Sequence, residues 1–365
     1  MNKNLYYIIA GEPSGDLHGA NLISEIKKID ESAEFQGLGG PLMQKVGLNT
    51  TINFQRLSVM GFWEVLKDLR FFLQLKKNII NSIIQLKPKK IILIDYPGFN
   101  LSLAKSLKQT IKTPILYYIS PQVWAWKKKR VYLIKKYIDS LIVVFPFEIS
   151  WFKKYSLDVE FFGHPLIDQF KKIDMKGSAD NSQTIALFPG SRSQEIKKHL
   201  PLLNKASQVL KEKNPNLNFI LNITPGLSRQ KMQSLVDKNI KVVQKKSSDV
   251  FLKSCAAIVT SGTATLECAI TKTPFIVIYK TSFISWLIAK SFLSVPFICI
   301  VNLLANKEIV PELVQKEASP EKIASQLLKT LNNSKKIKKD LKEVKDSLGR
   351  GDAYIKTAKY IVNYD

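Results

Sequence analysis

The chain has 365 residues, 45% of them apolar and 23% charged, which excludes a disordered or fibrous protein and leaves room for two or three domains. Three cysteines (Cys255, Cys268, Cys299), none in a Cys-x-x-Cys pair, exclude a disulfide framework, and three histidines (His18, His164, His199) are too few for a histidine-built metal centre. Fifty-five Lys and Arg against 30 Asp and Glu leave +25, a field that favours nucleic acid, a phospholipid surface or phosphorylated substrates.

In chain order, Leu5–Ala10 reads as a buried first strand. Its apolar run is too short for a signal peptide, so a cytoplasmic protein is expected. The turn Gly11-Glu12-Pro13-Ser14-Gly15-Asp16-Leu17-His18-Gly19-Ala20 precedes a predicted helix Asn21–Ile29. Glycines at a strand-to-helix turn let backbone and ligand approach closely, but Glu12 and Asp16 would repel a pyrophosphate. So dense a polarity suits a hydroxyl-rich acceptor better than a loop that merely packs.

From Phe62 to Ile84 a helical stripe of Val65, Leu66, Leu69, Phe72, Leu73, Ile80, Ile83 and Ile84 predicts a core-facing helix. Trp63, Phe71 and Leu75 fall off that stripe beside Lys67, Arg70 and Lys77, the chemistry of a bilayer interface. The next strand, Ile91–Asp95, ends in a carboxylate where open parallel sheets bind ligands, and a carboxylate there can act as general base. Asn100 is the expected cap of a helix Leu101–Lys108, which frees Asp95 for chemistry. Strands Pro114–Ile119 and Ser140–Phe145 flank Val123-Trp124-Ala125-Trp126-Lys127-Lys128-Lys129-Arg130, where rings and a polybasic run again suit a membrane surface. Single-stranded nucleic acid is the rival reading of such a patch.

Residues 171–183 are polar and without apolar periodicity, a natural linker. Beyond them the rhythm restarts with strands Thr184–Phe188, Leu217–Ile223, Ile240–Gln244, Ala256–Thr260 and Pro274–Tyr279. Gly190-Ser191-Arg192 after the first of these offers amides, a hydroxyl and a guanidinium fork to a phosphate. Ser261-Gly262-Thr263 repeats the arrangement after Thr260, with Glu267 one turn further on for ribose hydroxyls. No Asp-x-Asp occurs, so neither a metal nor another cofactor is expected. The apolar stretch Ser282–Ala305 is broken by Lys290 and Pro296 and is not a membrane span. After Ser319 the chain reads as basic helices, with Ile337, Leu341, Val344 and Leu348 at helical spacing.

Alternation of this kind predicts an α/β fold of two Rossmann-like domains facing across a cleft. The expected domains are 1–170 (acceptor and membrane docking), 184–334 (donor binding) and a helical tail 335–365 that packs on the first domain or on a partner chain.

Six segments, in order and at similar spacing, resemble the lipid-A-disaccharide synthase family: Gly11–Asp16, Ile94–Asn100, Ser120–Trp126, Gly163–Pro165, Pro189–Arg192 and Ser261–Glu267. Val301-Asn302-Leu303-Leu304-Ala305 also fits its pattern, and the likeness runs from Tyr6 to about Leu331. Tyr96 and Gly98 stand where the family often has a small and an acidic residue. The resemblance implies a GT-B glycosyltransferase joining UDP-2,3-diacylglucosamine to 2,3-diacylglucosamine 1-phosphate, peripheral on the inner membrane and bound to anionic lipids. Asp95, with Glu12, Asp16 and His18, is then expected at the catalytic centre, and Ser14, Asn100 and Trp124 at the acceptor. Gly190, Ser191, Arg192, Ser261, Gly262, Thr263, Glu267 and Asn302 are expected at the donor. Membrane docking falls to Trp63, Lys67, Arg70, Phe71, Leu75, Lys77 and Trp126 through Arg130. A homodimer is compatible with this picture, and no nucleic-acid partner is implied. On the residues alone, another UDP-sugar enzyme (a muramyl-lipid N-acetylglucosaminyltransferase or a UDP-N-acetylglucosamine epimerase) and a nucleic-acid-binding protein stay open.

Overall fold

A computed structural model of the chain describes residues 4–50, 69–171, 183–224, 226–282, 286 and 295–365. Trp63 and Lys67 lie outside the described residues, as does most of the expected linker. Two compact units emerge, Met1–Asp168 with Gly349–Asp365, and Gln169–Leu348.

The first unit is built on β1 (Asn4–Ala10), β2 (Ala33–Leu38), β3 (Leu48–Asn49), β4 (Lys90–Ile94), β5 (Ile115–Tyr118), β6 (Ser140–Val143) and β7 (Glu160–Phe161). They form one parallel sheet in the order β3-β2-β1-β4-β5-β6-β7. The second unit has β8 (Thr184–Phe188), β9 (Asn218–Asn222), β10 (Ile240–Val243), β11 (Ala256–Thr260), β12 (Phe275–Tyr279) and β13 (Glu312–Val314). Their order is β10-β9-β8-β11-β12-β13, again all parallel. Central strands covered by helices on both faces are apolar along most of their length, and β4, β5 and β11 are buried at every position. The short strands β2, β3, β7 and β13 carry no such run, and sequence periodicity did not reveal them.

One buried strand residue is a lysine. The Lys90 ammonium donates to the carbonyls of Ile361 (2.7 Å) and Val362 (2.8 Å), the orphan acceptors at the end of the helix Ala353–Asn363. That helix lies against the helix Pro13–Ile29, and Asp168 accepts the Ala353 and Tyr354 amides at its start. The preceding helix Ser334–Ser347 buries Ile337, Leu341 and Val344 within the second unit. Of the expected tail 335–365, therefore, only the part from Gly349 joins the first unit. The apolar stripe 337–348 had a partner beside it already.

The helix Leu69–Leu86 corrects the phase of the predicted stripe. Phe72, Leu75, Ile79 and Ile83 are its buried residues, spaced three and four apart, whereas Leu73 and Ile84 are exposed. Leu75 is thus core and cannot dock on a membrane. Phe71 is half-buried against the same cluster.

Candidate active site

Asp95, Gly190–Arg192 and Ser261–Thr263 follow the carboxyl ends of β4, β8 and β11. Beyond Ile94 the backbone enters the left-handed region at two successive non-glycine residues, Asp95 (φ 45°) and Tyr96 (φ 51°). Each such residue costs roughly 1–3 kcal/mol, so surrounding contacts must impose the turn. They are present. The Asp95 amide donates to the Tyr118 carbonyl (3.1 Å). The Asp95 carbonyl accepts from the Tyr117 phenol (2.5 Å) and from Asn100 Nδ2 (2.7 Å), both buried side chains.

This corrects two expectations for Asn100. The helix begins at Pro97 with Tyr96 as its N-cap, so Asn100 is inside the first turns and caps nothing. It is also fully buried, holding the backbone of Asp95 and Ile94 rather than an acceptor.

The Asp95 carboxyl is pushed up to about 6, first by burial and then by the nearby Glu12 charge, against the lowering pull of the Tyr96 amide. Gly11 makes room for this neighbourhood, because a Cβ there would stand 2.4 Å from the Tyr96 ring. Glu12 is exposed and stands at the N-cap position of the helix Pro13–Ile29 without a side-chain capping bond; the helix also absorbs most of the predicted glycine-rich turn, and Ser14 is exposed on its first turn.

Asp16 is also committed to a structural partner. It is 3% exposed, and its two oxygens accept the amides of Leu42 (3.0 Å) and Met43 (2.9 Å) at the start of the helix Pro41–Lys45. Its charge is spent on a helix N-terminus, not on proton transfer. His18 Nδ1 meets the Tyr354 phenol at 2.8 Å, and burial lowers its pKa to about 4. It is a neutral, weakly basic imidazole, whereas Asp95 is the stronger base.

Trp124 is likewise not a surface ring. It is 5% exposed, edge-on to Phe145 and Phe147, and its Nε1 donates to Glu148 Oε1 at 3.0 Å. The fully buried Glu148 also accepts from Ser120 Oγ (2.7 Å) and from the Val144 and Phe145 amides (3.1 and 2.9 Å). It pins the loop after β5 to the end of β6. Trp126, by contrast, is 47% exposed, with Lys127 Nζ 4.6 Å and the Arg130 guanidinium 5.7 Å from its ring centre. Lys127, Lys128 and Lys129 are exposed, as are Arg70 and Lys77.

In the second unit, Gly190 (φ +105°) opens the turn after β8. The Ser191 and Arg192 amides there are not free: Glu195 Oε2 accepts both, at 3.2 and 3.3 Å, while Oε1 stands 3.7 Å from Arg192 Nη1. The carboxylate occupies amides that sequence spacing assigned to a phosphate. The Arg192 side chain itself is 83% exposed. After β11, Ser261 Oγ donates to the Ile298 carbonyl (2.8 Å), Gly262 and Thr263 are exposed, and the space where a Gly262 Cβ would project is open. Glu267 is half-buried and its pKa is raised by burial against a lowering hydrogen bond from Ser247.

Asn302 is the last correction. It is fully buried, with Nδ2 donating to Val310 O and Glu312 Oε1 (2.9 and 2.8 Å) and Oδ1 accepting the Ile309 and Val310 amides (2.9 and 3.1 Å). Its hydrogen-bonding capacity is consumed by the loop leading into β13, so it does not reach a donor.

Sequence reading missed Tyr117, Glu148 and His199. Glu148, three residues after Phe145 and behind Pro146, carries a helix-start signal that was available. Two tyrosines in an otherwise aliphatic buried strand signal phenols in search of partners. Among the described residues no cluster of three or more His, Cys, Asp or Glu side chains is placed to hold a metal ion, and no helix is long and apolar enough to cross a membrane.

Two parallel α/β units with ligand-suited strand ends are the architecture of GT-B glycosyltransferases. Solved structures share it: UDP-GlcNAc 2-epimerase from Neisseria meningitidis bound to UDP-GlcNAc (TM-score 0.63, 12% identity, 99% of this chain and 100% of that one) and the calicheamicin glycosyltransferase CalG4 (TM-score 0.63, 12% identity, 100% and 98%). At such identity they speak for the fold alone. Residues 6–361 match the family model described as lipid-A-disaccharide synthetase. The lipid-A-disaccharide synthase of Syntrophus aciditrophicus is 39% identical over 96% of this chain and 94% of its own. The chain belongs to the lipid-A-disaccharide synthase family, glycosyltransferases of lipid A disaccharide synthesis acting on UDP-sugar and lipid substrates. The epimerase and nucleic-acid readings are not favoured.

Proposed function

We propose that the chain joins UDP-2,3-diacylglucosamine to 2,3-diacylglucosamine 1-phosphate with inversion, giving the β-1′,6-linked disaccharide 1-phosphate and UDP. The observation that carries this is Asp95, a carboxylate at the end of β4 on a turn that its neighbours hold in a costly conformation, with a pKa of about 6. A base of that strength is ionised at neutral pH yet still able to take a proton. Asp95 removes the proton from the acceptor 6-hydroxyl, whose oxygen forms the bond to the donor anomeric carbon. The bond from that carbon to the diphosphate oxygen breaks, and UDP leaves with the electron pair. Glu12 raises the basicity of Asp95, and Ser14, an exposed hydroxyl two residues from Glu12, is assigned to the acceptor.

The donor half is assigned to the second unit. Arg192 offsets charge on the departing diphosphate, helped by amides at Gly190–Ser191 and at Gly262–Thr263, and Glu267 accepts ribose hydroxyls. Diphosphate binding requires Glu195 to release the Ser191 and Arg192 amides that it now holds.

Both substrates carry acyl chains, and the protein docks peripherally on anionic lipid of the inner membrane. The exposed Trp126 ring, with Lys127 and the half-buried Arg130 close to it and exposed Lys128 and Lys129 between them in sequence, supports this reading, and Arg70 and Lys77 are exposed cations elsewhere in the same unit. The deciding experiment supplies both diacylglucosamine substrates to purified protein. A tetraacyl disaccharide phosphate and one equivalent of UDP are expected. UDP released without disaccharide, or epimerised donor, would overturn the assignment.

A further inference from the structure

We infer that His199 is a positioning residue for donor binding, an internal strap that ties the ends of the two strands carrying the donor loops, β8 and β11, to each other and to the end of β12. This rests on the assignment of the donor half to the second unit. His199 lies on the helix Ser193–Lys213 and is fully buried. Its Nδ1 is 2.9 Å from the Pro189 carbonyl, the residue immediately before Gly190-Ser191-Arg192. The same nitrogen is 3.1 Å from Thr260 Oγ1, immediately before Ser261-Gly262-Thr263. Its Nε2 accepts the Lys280 amide at 2.9 Å, just past the end of β12.

The bonding pattern admits one tautomer. An amide can only donate, so Nε2 is the unprotonated nitrogen and Nδ1 carries the hydrogen. Nδ1–H is then shared between the Pro189 carbonyl and Thr260 Oγ1, while the threonine hydroxyl donates onward to the Phe188 carbonyl at 3.1 Å. Every polar group in this buried set is satisfied by the neutral ring, and the ring spans the neighbouring strands β8, β11 and β12. Pro189 has no amide to donate, so its carbonyl is the only backbone hydrogen-bonding group that this residue itself offers to the strap.

The consequence is specific. Two loops proposed to grip one diphosphate must keep a fixed separation, and the imidazole sets it from below without touching the ligand. Replacing it by an apolar ring of similar size leaves the Lys280 amide and the Pro189 carbonyl without their partner, and the loops lose their common anchor. Donor affinity should suffer while acceptor binding, assigned to the other unit, should not.

The test uses the full chain with His199→Phe and His199→Gln. UDP affinity is measured by calorimetry, and Michaelis constants are measured separately for the UDP-sugar and for the acceptor. For His199→Phe we expect UDP affinity to fall and donor KM to rise, each about tenfold or more, with acceptor KM within twofold of the parent. Glutamine, which can both donate and accept, should recover part of the loss. A phenylalanine variant that does not fold leaves the decision to glutamine: donor KM unchanged in a folded glutamine variant, or equal rises in both Michaelis constants, would overturn the proposal. A parent chain that fails to bind UDP at all would instead sink the donor assignment on which it rests.

Discussion

The phenol of Tyr117 donates a 2.5 Å hydrogen bond to the backbone carbonyl of Asp95, from a strand neighbour whose side chain is wholly buried. Burial raises the Tyr117 pKa well above its ordinary value, so the group stays a donor throughout the working range. With Asn100 on the same carbonyl, it holds the left-handed turn that aims the carboxylate. Tyr117→Phe should fold, because the ring volume is kept, at a cost of about 1 kcal/mol. Turnover should fall about tenfold with the donor KM unchanged, since only the aim of Asp95 is loosened. Steady-state kinetics on both substrates check this, and a rise in donor KM alone would speak against it.

Asp95→Asn should remove most turnover, a loss of ~10²–10⁴-fold for a proton-transfer role. The same change should stabilise the fold. A carboxyl raised from 3.8 to about 6 contributes stability that is present below its unfolded pKa and lost as pH rises through about 6. The amide is spared that loss, so at pH 8 the variant should be the more stable by something on the order of 2 kcal/mol, and the two curves should converge near pH 4. Denaturant titrations at both pH values decide it. In the parent enzyme activity should fall on an acidic limb near pH 6. His18→Gln should leave that limb in place, because His18 titrates near 4.

Arg192→Ala should weaken UDP binding by one to two orders of magnitude while leaving the melting temperature nearly unchanged, the side chain being exposed. Glu195→Gln should act in the opposite direction on diphosphate, removing a charge that competes for the same amides. Chelation by EDTA is expected to leave turnover intact. Activity abolished by EDTA and restored by Mg²⁺ would put a metal into the donor half.

Membrane attachment should now be sought at Trp126 rather than at Leu75. Lys128→Glu with Lys129→Glu should weaken binding to anionic vesicles in a salt-dependent way, at about 1 kcal/mol per cation removed. Trp126→Ser should remove a smaller, salt-resistant part. Leu75→Ser should instead destabilise the fold by about 2–5 kcal/mol without a specific effect on vesicles, as a cavity in the core does. Vesicle sedimentation beside thermal melts separates the two classes.

Removing Gly349–Asp365 should damage the first unit and spare the second. It deletes the phenol on His18, the carbonyls on Lys90 and the amides on Asp168. Expected are lower solubility and lost turnover with UDP affinity retained. An equally stable, active truncation would contradict the packing described.

The sequence by itself determined the two parallel sheets, the strand-end placement of Asp95, Arg192 and Ser261, and the family. Those signals are local: an uninterrupted apolar run bounded by a polar turn means a covered parallel strand wherever the chain puts it. Only the tertiary structure decided which polar residues at those ends are free. Asp16 and Leu42 are 26 residues apart, Trp124 and Glu148 are 24, and Lys280 and His199 are 81. A buried carboxylate, amide or imidazole is committed by whichever partner the fold brings to it, and nothing in the adjacent residues records that partner. The helix Leu69–Leu86 shows the same limit for apolar groups. Leucine, isoleucine and phenylalanine stand on more than one of its faces, and the face that is core is fixed by the surface it meets.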